Sequence, residues 1–441
     1  MNKLTWCGLA ALIVAAPLVQ GTACAADVSN QRTAIDRLLD AQYAHLDSLY
    51  KDIHEHPELG FQEQRTSARL AAEMKALGFE VTEGVGKTGI VAIFKNGPGP
   101  VVMVRTELDA LPLPEKTGLP YASKAKQIAN GVETPVMHAC GHDIHMAVWI
   151  GTAKTMLDMK DQWSGTLMFV GQPAEEGGGG AKAMVKDGLF TRFPKPDVGY
   201  ALHVGPGPYG GVFYKPGVIN STSDGFAIEF IGKGGHGSRP HTTIDPVMMA
   251  AHFIVDVQSV ISREKDSARF GVITVGSVKA GNAGNVVPDT ASLRGTIRSY
   301  DNDTRLKMIE GLKRTAKAVA MMAGAPEPRI VIVEGAKAVV NDQAITERGG
   351  AVLKAAFGDK ARLMSEPGSA SEDYSEFVMA GVPSFYFGLG GIDPKELAKA
   401  REEHRLVPGN HSPEFAPVPE PSIRTGVEAM SLVLLDRMAK N

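Results

Sequence analysis

The sequence predicts an α/β protein. Its larger catalytic domain has a mainly parallel sheet flanked by helices, interrupted by a ferredoxin-like β-α-β-β-α-β insertion. Three observations predict this. Apolar, Val-rich runs alternate with segments of helical period over residues 30–220, the split order follows over 221–334, and the first pattern resumes over 335–441.

Residues 1–25 read as a secretory signal peptide. Lys3 supplies positive charge, Leu9 to Val19 the apolar core, and Ala23-Cys24-Ala25 small residues at a cut near Ala26. The core falls short of the roughly 20 residues a spanning helix needs. Gly21-Thr22-Ala23 lacks the leucine of a lipoprotein box. The mature chain is therefore expected to be exported, periplasmic or secreted, with no membrane attachment after cleavage. Cleavage would remove Cys7 and Cys24 and leave Cys140 as the one thiol. A lone thiol forms no internal disulfide, so it is either a small buried residue or a ligand or nucleophile.

In the first part of the large domain the pattern gives a helix over Glu63 to Leu77 stopped by Gly78, then strands from Gly89 and over Pro100 to Leu108. A helix over Asp143 to Met159, a strand over Gly165 to Gly171, a helix over Ala181 to Leu189 and a strand over Val198 to Val204 follow. The insertion reads strand Gly225 to Ile231, helix Pro246 to Arg263, strands Phe270 to Val278 and Ala291 to Arg298, helix Thr304 to Met322, strand Arg329 to Val333. Helix Ala344 to Phe357, a short strand, helix Asp373 to Ala380, strand Pro383 to Phe387 and helix Ser422 to Met438 complete the large domain.

The chain has 441 residues, 44% hydrophobic and 22% charged, with 46 Lys plus Arg against 49 Asp plus Glu. No field of one sign exists to attract nucleic acid or an anionic membrane, so a small-molecule partner is expected.

The segment Met137-His138-Ala139-Cys140-Gly141-His142-Asp143-Ile144-His145 lies between a loop and a helix start. A thiol and an imidazole two residues apart can reach one metal, Gly141 lets the backbone bend between them, and Asp143 suits the helix N-cap. Glu175 and Glu176 follow a strand, where the active sites of open α/β sheets lie. One carboxylate can bind a metal while its neighbour takes a proton from water. His203 ends a strand and His411 sits in Gly409-Asn410-His411-Ser412-Pro413. With Cys140, His142 and Glu176 they make five N, S and O ligands, enough for two ions. Glu107 and Asp109 share one face at another strand end. Asp109 there either orients a ligand by hydrogen bonding or belongs to an ordinary turn.

These motifs, Arg-Thr-Glu-Leu-Asp-Ala-Leu-Pro from Arg105, His-Ala-Cys-Gly-His-Asp from His138, Glu-Glu-Gly from Glu175 and the late His411, resemble the dinuclear metallopeptidase and aminoacylase superfamily. The similarity is to its hippurate hydrolase and auxin-conjugate amidohydrolase branch and covers nearly the whole mature chain. The resemblance implies that Cys140, His142, Glu176, His203 and His411 hold two divalent ions, that Glu175 is the general base, and that Asp109 supports the metals. It implies that the insertion is a lid and dimerisation domain. His236 in Gly232-Lys233-Gly234-Gly235-His236-Gly237-Ser238 would stabilise the oxyanion in a partner subunit's site, while Asn285 and Arg298 grip the substrate carboxylate. A homodimer or higher homo-oligomer is thus expected. Glu107 departs from the pattern, because the branch carries Asp there and its peptidase relatives a metal-binding His.

A thiolate with imidazoles favours zinc, with manganese, cobalt or nickel as alternatives. The expected reaction is metal-dependent hydrolysis of N-acyl amino acids, hippurate-like or aryl-acyl conjugates, or short peptides. The competing readings are an exported dipeptidase or carboxypeptidase of the same superfamily, and a non-catalytic periplasmic metal or ligand carrier.

Overall fold

The computed structural model describes residues 25–177 and 179–440. The expected signal peptide lies outside the described residues, apart from Ala25, which opens the first helix.

An eight-stranded sheet runs in the order Glu80–Val85, Gly89–Asn96, Gly165–Gln172, Val101–Glu107, Val198–Pro208, Ser384–Ile392, Val212–Tyr214, Ala361–Leu363. The four central strands from Gly165–Gln172 to Ser384–Ile392 are parallel, and Gly89–Asn96 and Glu80–Val85 continue them antiparallel at one edge. The middle strands are buried on both faces, as the near-continuous apolar run Val101–Val104 requires.

The His142–Asp158 helix is apolar around most of its circumference and is buried along almost its whole length. It lies on the sheet, with Trp149 Nε1 donating to the carbonyl of Val104 at 3.1 Å. Helices Ala25–Glu55 and Pro419–Met438 cover its other side. Gly151 permits this close approach, because a Cβ there would lie 2.7 Å from Val427 Cγ2 and 2.9 Å from Leu46 Cδ1.

Between Asp224 and Glu334 the chain builds a second, four-stranded antiparallel sheet. Its order is Gly271–Ala280, Thr290–Ser299, Asp224–Ile231, Arg329–Glu334, which is how a split β-α-β-β-α-β unit arranges its strands. Strand Asp224–Ile231 alternates buried and half-buried residues, turning Phe226, Ile228 and Phe230 toward helices Pro246–Asp256 and Asn302–Met322. Asp245 and Asp301 cap these helices through the Val247 and Thr304 amides, both at 2.8 Å. At the junction with the large sheet, Arg305 grips buried Asp224 with Nε and Nη2 at 2.7 and 2.8 Å. The opposite face of this sheet leaves Val272, Val331 and Val333 exposed.

Two expected helices are interrupted. The helix expected over Pro246 to Arg263 stops at Asp256 and gives way to a π-turn over Val260–Glu264. Val260 there is fully buried against Gly311, where a Cβ would come within 2.5 Å of it, so packing overrides local propensity. The helix expected over Ala181 to Leu189 breaks at Gly188, whose φ is +91°.

Phe253 is fully buried between Phe226 and Phe230. Phe253→Ala is expected to destabilise this core by about 3–5 kcal/mol. Calorimetry showing an unchanged melting profile would contradict the packing described.

Candidate metal centre

The predicted ligands converge at the C-terminal ends of the parallel strands, where an open α/β sheet offers its crevice. Cys140 and His142 stand at the N-terminus of the His142–Asp158 helix, Glu175 and Glu176 follow Gly165–Gln172, and His203 lies within Val198–Pro208. His411 comes from a turn near the C-terminus, at φ +69°. Cys140 Sγ is 3.4 Å from both His203 Nε2 and His411 Nε2, and His411 Nε2 is 3.1 Å from Glu176 Oε1. Cys140, His142 and Glu176 offer atoms within 4.8 Å of one another.

Gly141 makes this possible. At φ +85° it is the N-cap of the helix, and a Cβ there would lie 2.4 Å from Val204 Cγ1. The expected N-cap, Asp143, is instead buried in the first turn. One of its carboxylate oxygens accepts from the Ile144 amide and the other binds His54, 89 residues away.

The imidazoles are oriented from behind. His142 Nδ1 donates to the Asp109 carbonyl at 2.7 Å and His203 Nδ1 to the Val204 carbonyl at 2.8 Å, which leaves both Nε2 atoms as bases facing the cluster. His142 Nε2 is buried and has no hydrogen-bond partner. Despite burial, Asp109 and Glu107 pull His142 up to about 10. Burial, reinforced by Glu176 and Glu175, pushes the Cys140 thiol well above its ordinary range. A pocket that raises both groups favours added positive charge, so the donor set fits a divalent cation.

Asp109 ties two predicted elements together: its carbonyl orients His142, and its Oδ2 accepts from the Glu176 amide at 2.9 Å. Glu175 Oε2 lies 3.9 Å from His142 Nε2. Burial, with Glu372, Glu176 and Asp373 nearby, pushes the Glu175 carboxyl well above the usual carboxylate range. His411 and His142 hold Glu176 below that range, although burial opposes them. The two adjacent acids thus have opposite proton affinities.

Glu107 lies with His142, His145 and His203 in a second group whose ligand atoms are within 4.8 Å of one another, but both its oxygens have partners. One oxygen pairs with Arg105 and the other accepts from His145 Nδ1 at 2.9 Å, while His145 Nε2 accepts from the Val204 amide at 2.8 Å. His145 therefore has no free nitrogen. It fixes Glu107 against the backbone that follows His203.

Within the inserted domain, His236 lies in a two-stranded ribbon opposite Val286, and Asn285 immediately precedes that strand, its carbonyl accepting from the Gly237 amide at 2.8 Å. Both are exposed, and among the described residues no hydrogen bond joins either to the Cys140 cluster. Arg298 is half-buried with Nη1 unpartnered, and it lies near enough to His411 for its charge to oppose that imidazole's protonation.

Sequence reasoning missed the cation behind the site. Arg105 is buried and donates from Nε to Gln172 at 2.8 Å, from Nη2 to Glu372 at 2.7 Å and to Asp373 at 3.3 Å. Asp373 in turn accepts from Gln172 Nε2 at 2.6 Å and from the Ala181 amide at 3.0 Å, anchoring both ends of the Glu175 turn.

Residues 103–431 match the model of peptidase family M20/M25/M40. The chain is 39% identical over 349 residues to the hippurate hydrolase of Campylobacter jejuni, covering 78% of this chain and 87% of that protein. It is 34% identical over 388 residues to thermostable carboxypeptidase 1 of Saccharolobus solfataricus, covering 87% and 93%. Among solved structures, a dinuclear metal-binding peptidase of the M20 family from Bacillus subtilis superposes with a TM-score of 0.71 at 27% identity, covering 90% of this chain and 99% of that one.

His54 links the first helix to the start of the ligand-bearing helix, binding Asp143 at 2.6 Å and Glu115 at 3.0 Å. Burial opposes its charge, yet these two carboxylates raise it to about 10. Its contribution to stability is complete below the unfolded value of ~6.5 and is lost as pH rises through the folded value. Asp143 and Glu115 are held low, against burial, by His54, so their share is lost as pH falls. His54→Gln is therefore expected to cost most near pH 6 and progressively less toward pH 10. Urea unfolding at the two extremes that gave equal losses would contradict this pairing.

Proposed function

The chain belongs to peptidase family M20/M25/M40 and is a metal-dependent amide hydrolase; from that premise we propose that it cleaves N-acyl amino acids of the hippurate or aryl-acyl type, with Glu175 as general base. The observation that carries this reading is the convergence of Cys140, His203, His411 and Glu176 beside a second, proton-binding carboxylate. Cys140, His142, Glu176, His203 and His411 would hold two divalent ions, zinc in preference to manganese, cobalt or nickel, which when bound polarise the amide carbonyl and lower the pKa of water toward ~7.

Glu175 accepts the proton of the attacking water and passes it to the leaving nitrogen. Its raised proton affinity suits that shuttle, and Asp109 and Asp373 fix the turn that carries it. Arg298 offers a planar fork for the substrate carboxylate, Asn285 is assigned to grip the same carboxylate, and His236 donates to the oxyanion. Since His236 is exposed and not bonded to the cluster, its action is assigned to a partner subunit's site. The exposed Val272, Val331 and Val333 face supports pairing through the second layer in a homodimer. Export to the periplasm or medium completes the proposal, resting on the leader motif alone. The carboxypeptidase relative supports a second reading, in which short peptides are the substrate.

Release assays over N-acetyl, N-benzoyl and N-arylacetyl amino acids and dipeptides, with and without chelator, separate these readings. Glu175→Gln is expected to keep its metal and lose about 10²–10⁴-fold in kcat. Wild-type turnover by that variant, or hydrolysis indifferent to chelator, would reject the mechanism. His236→Ala is expected to lose about 10²-fold, and an active monomer in sedimentation would dismiss its action across subunits.

A further inference from the structure

The turn that carries Glu175 is held in an unfavourable conformation by a carboxylate with no task in its own helix. Ala174, fully buried, has φ +46°, in the left-handed region that favours glycine. Its amide donates to Glu63 Oε1 at 2.7 Å, while Glu63 Oε2 accepts from Thr88 Oγ1 at 2.6 Å. Glu63 stands at the N-cap position of the Gln64–Ala76 helix but makes no capping bond. Glu58 takes that duty, accepting from the Thr66 amide at 2.7 Å and the Arg65 amide at 3.1 Å. Glu63 is fully buried, and burial pushes its carboxyl up to about 7. Such a group is costly to keep unless its bonds matter.

The rest of the turn is braced. The Gly180 amide donates to the Ala174 carbonyl at 3.1 Å, and the Glu176 amide to Asp109 Oδ2 at 2.9 Å. A Cβ on Gly60 would lie 3.0 Å from Ala174 Cβ, so the Glu63 loop packs directly on the turn. With both flanks fixed, the Ala174 dihedral decides the direction in which Glu175 leaves the backbone.

We infer that Glu63 is a positioning residue for the hydrolysis: its bond to the Ala174 amide keeps that residue left-handed and so aims Glu175 at the reacting water. The inference rests on the reading of Glu175 as general base. A misplacement of the base by about 1 Å is enough to cost ~10²-fold in rate.

The test uses the metal-loaded full chain and N-benzoyl and N-acetyl amino acids. Glu63→Ala is expected to keep its metal content and KM and to lose about 10- to 100-fold in kcat. Glu63→Gln is expected to stay near wild type, since its amide oxygen accepts from Ala174 and its NH₂ donates to Thr88. Glycine takes the left-handed conformation without penalty, so adding Ala174→Gly to Glu63→Ala is expected to restore much of the lost kcat. Should Glu63→Ala fail to fold, Glu63→Asp, one methylene too short to span both partners, carries the same expectation. Wild-type kcat in the folded Glu63 variant, or a double variant no faster than it, overturns the inference. Glu175→Gln is assayed in parallel. If it turns over normally, the base reading fails and takes the inference with it; if it is inactive while the Glu63 variant is normal, the inference alone fails.

Discussion

Buried negative charge governs how the strand ends and the loops after them are built. Glu107, Asp109, Glu372 and Asp373 are almost inaccessible to solvent, and Glu175 and Glu176 are mostly covered beside them. Ionised carboxylates at such density are tolerated only where cations or donors reach them. Arg105 answers for one side of the cluster, contacting Glu107, Glu372 and Asp373. On the other side stand imidazoles and a thiol, which favour a cation that the side chains alone do not supply. The site is thus divided into a half neutralised by the protein and a half suited to metal.

This division explains the local architecture. The rigid half sits between parallel strands, where Arg105, Glu107 and Gln172 are buried on adjacent chains of the sheet. From that base, backbone carbonyls and carboxylates reach forward to fix each ligand: the Asp109 carbonyl on His142, the Val204 carbonyl on His203, Asp109 Oδ2 on the Glu176 amide. Side chains ordered in advance lose little freedom when an ion binds, and bind it in one geometry. The second sheet stands apart from this framework, tied to it where Tyr300 Oη donates to the Pro367 carbonyl at 2.8 Å, and Arg298 lies near enough to His411 for its charge to oppose that imidazole's protonation.

Much of this was legible in the sequence because the signals were local. Period and Val-rich runs gave the alternation of helix and strand, and in the insertion the boundaries of five of the six elements lie within two residues of those expected, the helix from Pro246 alone stopping early at Asp256. Cys140 and His142 were legible from their spacing about Gly141. His203 and His411, each unremarkable alone, acquired meaning from the company of Cys140, His142 and Glu176 as a five-ligand set, which the family resemblance then reinforced. What the sequence hid was set by distant contacts. Arg105 reads as one polar residue in a strand, and its partners Glu372 and Asp373 lie 267 and 268 residues further on. Asp143 obeys the capping rule on paper, but the left-handed Gly141 takes the cap and buried His54 takes the carboxylate. Glu63 looks like the start of a helix, whereas Glu58 holds that start. In each case a tertiary partner outcompeted a local preference.

On this reading the thiol and imidazoles gathered at the strand ends bind metal directly. X-ray absorption on the zinc-loaded protein tests it. The expected spectrum contains a sulfur neighbour at about 2.3 Å, from Cys140, together with nitrogen neighbours at about 2.0–2.1 Å. Tightly bound zinc surrounded only by oxygen and nitrogen would contradict it.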